Sequence, residues 1–205
     1  MIDPHLAHVL ALLERVPLID GHNDLPIVIR HRAAGDVRAF DLTKVHGGYD
    51  TDIPRKRRGT VAGQFWAAYV PTSAKNPGQF TLEQIDVARE IALAHPDDFI
   101  LATRSADVAR ARKAGKIAAF VTVESTVGLQ GSLGPLRVWQ AAGVRLVTLC
   151  HNETLPWIDS ATDKPASNGL SEFGRALVRE LNRLGMIVDL AHVAPHAMHQ
   201  VLDET

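Results

Sequence analysis

Short apolar runs alternate along this chain with longer stretches in which apolar residues recur every three or four positions. Residues 18–24, 65–70, 118–124, 144–151 and 186–192 read as strands. Residues 82–94, 106–114, 136–142 and 171–184 carry helical spacing, and a further helix begins near Pro195. Ahead of the first strand, residues 5–15 place Leu6, Val9, Leu10 and Leu13 along one helical face. Gly115, Gly143 and Gly185 each close a helical run and precede a strand, the position of a helix C-cap. Thr81 and Ser171 are expected N-caps.

Five strands joined by helical crossovers predict a parallel sheet, and strands that are apolar on both sides predict helices on both faces. An open doubly wound sheet and an incomplete (β/α)8 TIM barrel both fit that pattern. No Gly-x-Gly-x-x-Gly or phosphate loop supports a nucleotide-binding open sheet. The usual barrel takes about 250 residues and this chain has 205, so the expectation is an α/β TIM-barrel metallohydrolase with about its first five β/α units present. Neither a repeat nor a linker divides the chain, and residues 1–205 are read as a single, incomplete barrel domain.

Polar residues at the strand ends favour the barrel. The first strand ends in His22-Asn23-Asp24, the third in Glu124, the fourth in His151 and the fifth in His192. Side chains two apart on a strand share a face, so His22 and Asp24 are expected to emerge together. Catalytic groups of parallel barrels gather at the C-terminal ends of their strands. Imidazole nitrogens with carboxylate oxygens suit zinc. Glu124 has two oxygens and could bridge two ions about 3.5–4 Å apart, between which a water becomes hydroxide near neutral pH. Asp20 is read as a hydrogen-bonding support for His22. Asp189, on the opposite parity from His192, has no assigned role. The remaining histidines (5, 8, 31, 46, 95, 196 and 199) are read as solvent-exposed, Cys150 as a small core residue, and Trp66, Trp139 and Trp157 as packing groups, with Trp157 near enough to His151 to line a pocket.

Composition narrows the function classes. Hydrophobic residues make up 46% and charged residues 22%, with a formal net charge of -1, so no electrostatic reason exists to expect a nucleic acid or an anionic membrane as partner. The basic run Arg55-Lys56-Arg57-Arg58 is read as a solvated loop. The single cysteine permits no intrachain disulfide, and no segment reaches the roughly 18 apolar residues of a membrane span. The amino terminus has neither a basic stretch nor a long apolar stretch of a secretory leader. A cytoplasmic location is expected.

Several segments resemble the membrane (renal-type) dipeptidases, zinc hydrolases of dipeptides. These are Asp20-Gly21-His22-Asn23-Asp24-Leu25-Pro26, residues 63–71, residues 143–152, Gly169-Leu170-Ser171-Glu172-Phe173-Gly174 and residues 182–193. The resemblance implies a (β/α)8 barrel holding two zinc ions. Carried over position by position, it makes His22, Asp24 and Glu124 ligands of the first ion, Glu124 the bridge, and His192 a ligand of the second. His151 corresponds to a histidine that binds substrate and stabilises the tetrahedral intermediate. The implied partner is a dipeptide or related small molecule, with a homodimer as the expected assembly at most. One departure is local: Ser125-Thr126-Val127 follow Glu124 where the family has glycines and a histidine. A second departure is larger. The family's further zinc histidine, substrate-binding arginine and acid/base aspartate have no counterparts before Thr205. The chain is accordingly expected to be the N-terminal part of such an enzyme, inactive and poorly soluble alone.

Overall fold

The computed structural model describes residues 3–205; Met1 and Ile2, part of the amino-terminal segment read above, lie outside them. In chain order the elements are α1 (Pro4–Arg15), β1 (Leu18–Asp20), α2 (Leu25–Ala33), α3 (Ile53–Arg58), β2 (Val61–Tyr69), α4 (Pro77–Ala94), β3 (Phe99–Leu101) and α5 (Ala106–Lys113). They continue with β4 (Ile117–Glu124), α6 (Gly134–Ala141), β5 (Val144–Thr148), α7 (Glu172–Arg183), β6 (Ile187–Asp189) and α8 (Pro195–Asp203). All strand pairs are parallel, as crossover helices require, in the order β1-β2-β4-β5-β6. Ala118 and Ala119 pair with β2 on one edge and β3 on the other, whereas Val121 to Glu124 pair with β2 and β5. β3 and β5 thus occupy successive halves of one edge of β4.

β4 is buried along its whole length, and its alternating side chains separate two layers. Val121 and Val123 pack in the main core with Ile85, Ala88 and Ile91 of α4. Ala118 and Phe120 face the other way, into a smaller cluster with Val108 and Ala111 of α5. Phe120 stacks on Phe65 there, centroids 4.6 Å apart. Glu124 shares this second face, so α5 closes one end of the concave side and Glu124 stands at the other. The sheet curls: His22, just after the edge strand β1, and His192, just after the opposite edge strand β6, line one cavity together. The result is a half-barrel.

Several elements differ from those expected. β1, β5 and β6 stop at Asp20, Thr148 and Asp189, so His22, Asp24, His151 and His192 stand on loops and not on strands. At two of these ends an aspartate terminates the ladder: Asp20 Oδ1 accepts from His22 N at 3.2 Å, and Asp189 Oδ1 from Ala191 N at 3.0 Å. β3 and α2 were not foreseen. Phe99-Ile100-Leu101 is too short to show a period, and Leu25-Pro26-Ile27-Val28-Ile29 carries no helical periodicity. Thr81 does not cap α4, which begins at Pro77; Thr81 is buried inside it and donates to the Pro77 carbonyl. Ser171 does cap α7, its hydroxyl accepting from Gly174 N. Gly115, Gly143 and Gly185 adopt φ of +68°, +103° and +65°, the left-handed backbone expected after a helix.

The sheet's outer strands are less covered than their apolar sequences suggest. Leu18 and Ile19 on β1 and Ile187 on β6 are exposed, because these are the sheet's edges. The helix α1 forms as expected but buries none of its residues. The basic run is not a solvated loop: it is α3, and Lys56 is buried with its ammonium donating to Gln64 Oε1 and lying 4.9 Å from the Trp66 ring. Its neighbours are paired too, Arg55 with Asp52 and Arg57 with Asp98. No helix is long and apolar enough to cross a membrane, among the described residues.

Candidate metal centre

Five side chains converge on the open end of the half-barrel. Glu124 ends β4 and is 4% exposed. His22 and Asp24 flank Asn23, which pins their loop: its carbonyl accepts from Ala67 N on β2, its amide donates to Thr51 Oγ1, and its Oδ1 accepts from Leu25 N. Asp20 supports this loop through the His22 backbone rather than through the imidazole. His151 follows β5 and His192 follows β6, the latter at φ +66°, left-handed backbone that a residue with a β-carbon rarely adopts.

The separations are informative. His22 Nε2 lies 3.3 Å from Asp24 Oδ1 and 3.6 Å from Glu124 Oε2. On the other side of the carboxylate, His192 Nε2 is 3.3 Å and His151 Nε2 3.8 Å from Glu124 Oε1. Ligands arranged tetrahedrally at 2.0–2.2 Å around one zinc stand about 3.3–3.6 Å from each other. His22, Asp24 and Glu124 therefore have ligand spacing, and so does the pair Glu124–His192, with His151 just outside it. The two groups, His22/Asp24/Glu124 and Glu124/His151/His192, share the one buried carboxylate, and the ligand atoms within each lie within 4.8 Å of one another. The donor set and its spacing fit zinc.

Electrostatics agree with an unsatisfied carboxylate. Burial pushes Glu124 up to about 7; the positive field of His22 opposes this, and Asp24 and Asp189 add to it. The hydrogen bond that His22 Nε2 donates to Asp24 raises the imidazole, and the same bond lowers Asp24. Burial and the neighbouring His192 hold His151 below the usual imidazole value, and its buried Nδ1 makes no hydrogen bond. A bound cation would reverse this balance, favouring ionised Glu124 and neutral imidazoles.

Other residues at this end were not foreseen. Tyr69 pairs in register with Glu124 and sets its ring edge-on to His151, centroids 4.8 Å apart. It sits at the C-terminal end of β2, so the strand-end rule that found the other residues points to it as well. Tyr69, Ile27 and His31 line a cavity of about 500 Å3 with the histidines and Glu124. His31 thus faces the site rather than open solvent alone, and the spacing Asp24, Ile27, His31 along α2 is its signal. Asp189 accepts from the Thr148 hydroxyl at 2.6 Å and lines a second recess with Glu124 and His192. Parity misled for Asp189, because His192 lies beyond the strand.

The remaining expectations divide. Trp66, Trp139 and Trp157 are buried packing groups, and Trp157 donates to Thr126 Oγ1. Cys150 is a buried core residue whose thiol burial pushes up to about 12. Two histidines read as solvent-exposed have partners, His46 stacking on Phe40 and His196 pairing with Asp159, and a third, His95, buries its Nε2.

The sequence profile of one family, described as membrane dipeptidase (peptidase family M19), matches residues 6–205. The chain belongs to the membrane dipeptidase family. An uncharacterized dipeptidase of Schizosaccharomyces pombe is 41% identical over 207 residues, covering 94% of this chain and 50% of that protein. Dipeptidase 3 of Mus musculus is 36% identical over 209 residues, covering 98% of this chain and 41% of that protein. The chain thus spans about half the length of these curated relatives. Among solved structures, the probable dipeptidase PvdM of Pseudomonas aeruginosa aligns with TM-score 0.85 at 22% identity, covering 99% of this chain and 54% of that one. A metallopeptidase of Rhodobacter sphaeroides, solved with a phosphinate mimic of the dipeptide L-Ala-D-Ala, aligns with TM-score 0.77 at 21% identity, covering 93% and 62%. At such identities the likeness carries the fold: this membrane dipeptidase family chain forms the part of a TIM barrel that bears β1 to β6.

Proposed function

We propose that this chain carries the zinc-binding portion of a dipeptidase active site. His22, Asp24 and Glu124 would hold one ion, and Glu124 through its other oxygen, with His192, would hold a second. When bound, zinc supplies Lewis-acid polarisation of a carbonyl oxygen and lowers the pKa of water to near neutrality. The observation that carries this reading is one buried carboxylate, Glu124, with each oxygen at ligand spacing from a different histidine, in a chain of this family.

His151 is assigned to the substrate. Its Nε2 lies outside ligand spacing from Glu124, its ring rests against Tyr69, and its lowered pKa keeps the imidazole neutral. A neutral imidazole with Nε2 protonated can donate to the oxygen of a carbonyl under attack, the kind of contact that usually dominates acyl-transfer catalysis. The cavity of about 500 Å3 above these groups is sufficient for a dipeptide or a related small molecule.

The test is zinc-dependent hydrolysis of a panel of dipeptides by the full-length protein, alongside lactone and simple amide substrates. Dipeptide cleavage that falls at least 10³-fold in Glu124→Gln is the expected result. Turnover of lactones or amides without dipeptides would assign another amidohydrolase-type reaction, and zinc uptake without any hydrolysis would assign a non-catalytic metal module.

A further inference from the structure

The connection from β5 to α7 doubles back on itself, and its middle crosses the ends of two strands. Leu155 and Leu170 each bridge to Ile158, and Ser160 bridges to Val193. Asp159 anchors the connection: its buried carboxylate accepts from Ala166 N, Ser167 N and Gly169 N at 2.8, 2.9 and 2.6 Å. Asp159, Ser160 and Ala161 then reach across the turns after β5 and β6. The Asp159 carbonyl accepts from Ala194 N at 2.9 Å, and Ala161 N donates to the His192 carbonyl at 2.8 Å. Ser160, 2% exposed, donates its hydroxyl to the His151 carbonyl at 2.7 Å, with the His192 carbonyl 3.4 Å from the same oxygen.

We infer that Ser160 is a positioning residue that sets the spacing of His151 and His192 on Glu124. This deepens the zinc dipeptidase reading and rests on it for its metal consequence. The two histidines come from different turns, and their rings stand only 4.3 Å apart, centroid to centroid. Thr148 donates to Asp189 at 2.6 Å just before the turns, and Cys150 Sγ lies 3.8 Å from the His192 carbonyl, but neither contact reaches the His151 carbonyl. Ser160 is the side chain that touches both backbones. His192 has a special need of support, because its φ of +66° is disfavoured for any residue with a β-carbon. Hydrogen bonds to its carbonyl offset that cost and stop the peptide from rotating. Support of this kind around metal ligands is typically worth 10–100-fold in affinity. His22 and Asp24 lie on the far side of Glu124 and depend on Asn23 instead, so loss of the Ser160 hydroxyl should affect the two halves of the centre unequally.

The experiment uses Ser160→Ala and Ser160→Thr, the second retaining the hydroxyl. In the metal-free proteins, imidazole NMR resonances are followed; in parallel, zinc is titrated calorimetrically. Ser160→Ala should shift the His151 and His192 resonances while leaving His22 in place, and weaken the second zinc equivalent about 10-fold with the first changed less than 2-fold. Ser160→Thr should restore both. Equal weakening of both equivalents, or unmoved His151 and His192 resonances in Ser160→Ala, would overturn the assignment. If the wild-type protein takes up no zinc, the metal reading fails by itself, and the metal-free resonances still decide whether Ser160 holds the two histidines.

Discussion

Glu124 Oε1 lies 3.3 Å from His192 Nε2, joining the last residue of β4 to the turn after β6. The other oxygen of the same carboxylate faces His22, after β1, at 3.6 Å. One side chain in the middle of the sheet therefore meets groups from both outer strands, which only a curled sheet allows. Removing any one of these groups should be felt at the metal before it is felt in the fold.

His22→Ala should lower zinc content sharply, and His199→Ala should not. His22 lies within ligand spacing of Asp24 and Glu124, whereas His199 is an exposed residue of α8. Elemental analysis of the purified proteins decides it. Equal zinc in the two variants would remove His22 from the centre.

Ser125→Gly should stabilise the fold by about 1 kcal/mol. Ser125 is buried at φ +79° and ψ 126°, a conformation that glycine adopts without strain. Its hydroxyl accepts only one long bond, from Val127 N at 3.4 Å, so little is lost with it. The urea midpoint should rise, with the m-value unchanged; a lower midpoint would show that the hydroxyl matters more than the backbone.

Acid should weaken the β5–α7 connection in a window that Asp159 sets. Burial alone would raise its pKa, but three backbone N–H donors and His196 outweigh burial and hold the group at about 2. A depressed native pKa contributes stability that is fully present above the unfolded value of 3.8 and is lost as pH falls towards about 2. The expected loss is on the order of 2 kcal/mol. Asp159→Asn should be less stable at pH 7 and should lack this slope in denaturation curves taken between those pH values. An unchanged slope would assign the acid sensitivity to other carboxylates.

The alkaline side has its own signature. Burial lowers Lys56 from 10.5 to about 8, with Asp20 opposing. Between these two values the unfolded chain binds the extra proton, so stability should rise with pH across that window. Lys56→Met, of similar length and without charge, should be more stable at pH 7 and should flatten the rise. Thermal melts of both proteins from pH 7 to 10.5 measure it, and parallel curves would mean that Lys56 stays charged with its hydrogen bond to Gln64.

Local sequence chemistry specifies the alternation of strand and helix, the parallel sheet and the family, and it marks Glu124 and the four groups that converge on it. These follow from local chemistry: apolar runs that must be buried, glycines at left-handed helix ends, and polar residues repeated at one end of successive strands. Tertiary structure alone decided the rest. A three-residue strand such as Phe99–Leu101 has no period, and it forms because the lower half of the β4 edge offers it hydrogen bonds. Lys56 lies in a run of cations, and only packing of α3 against β2 buries it beside Gln64 and Trp66. His22 and Asp24 share a side because Asn23 is pinned between β2 and Thr51, and not through the pleat of a strand. The left-handed turn at His192 and the reach of Ser160 across two strand ends depend on contacts between segments far apart in the chain. Periodicity along a sequence reports what each segment prefers, and such contacts arise only when the segments are packed together.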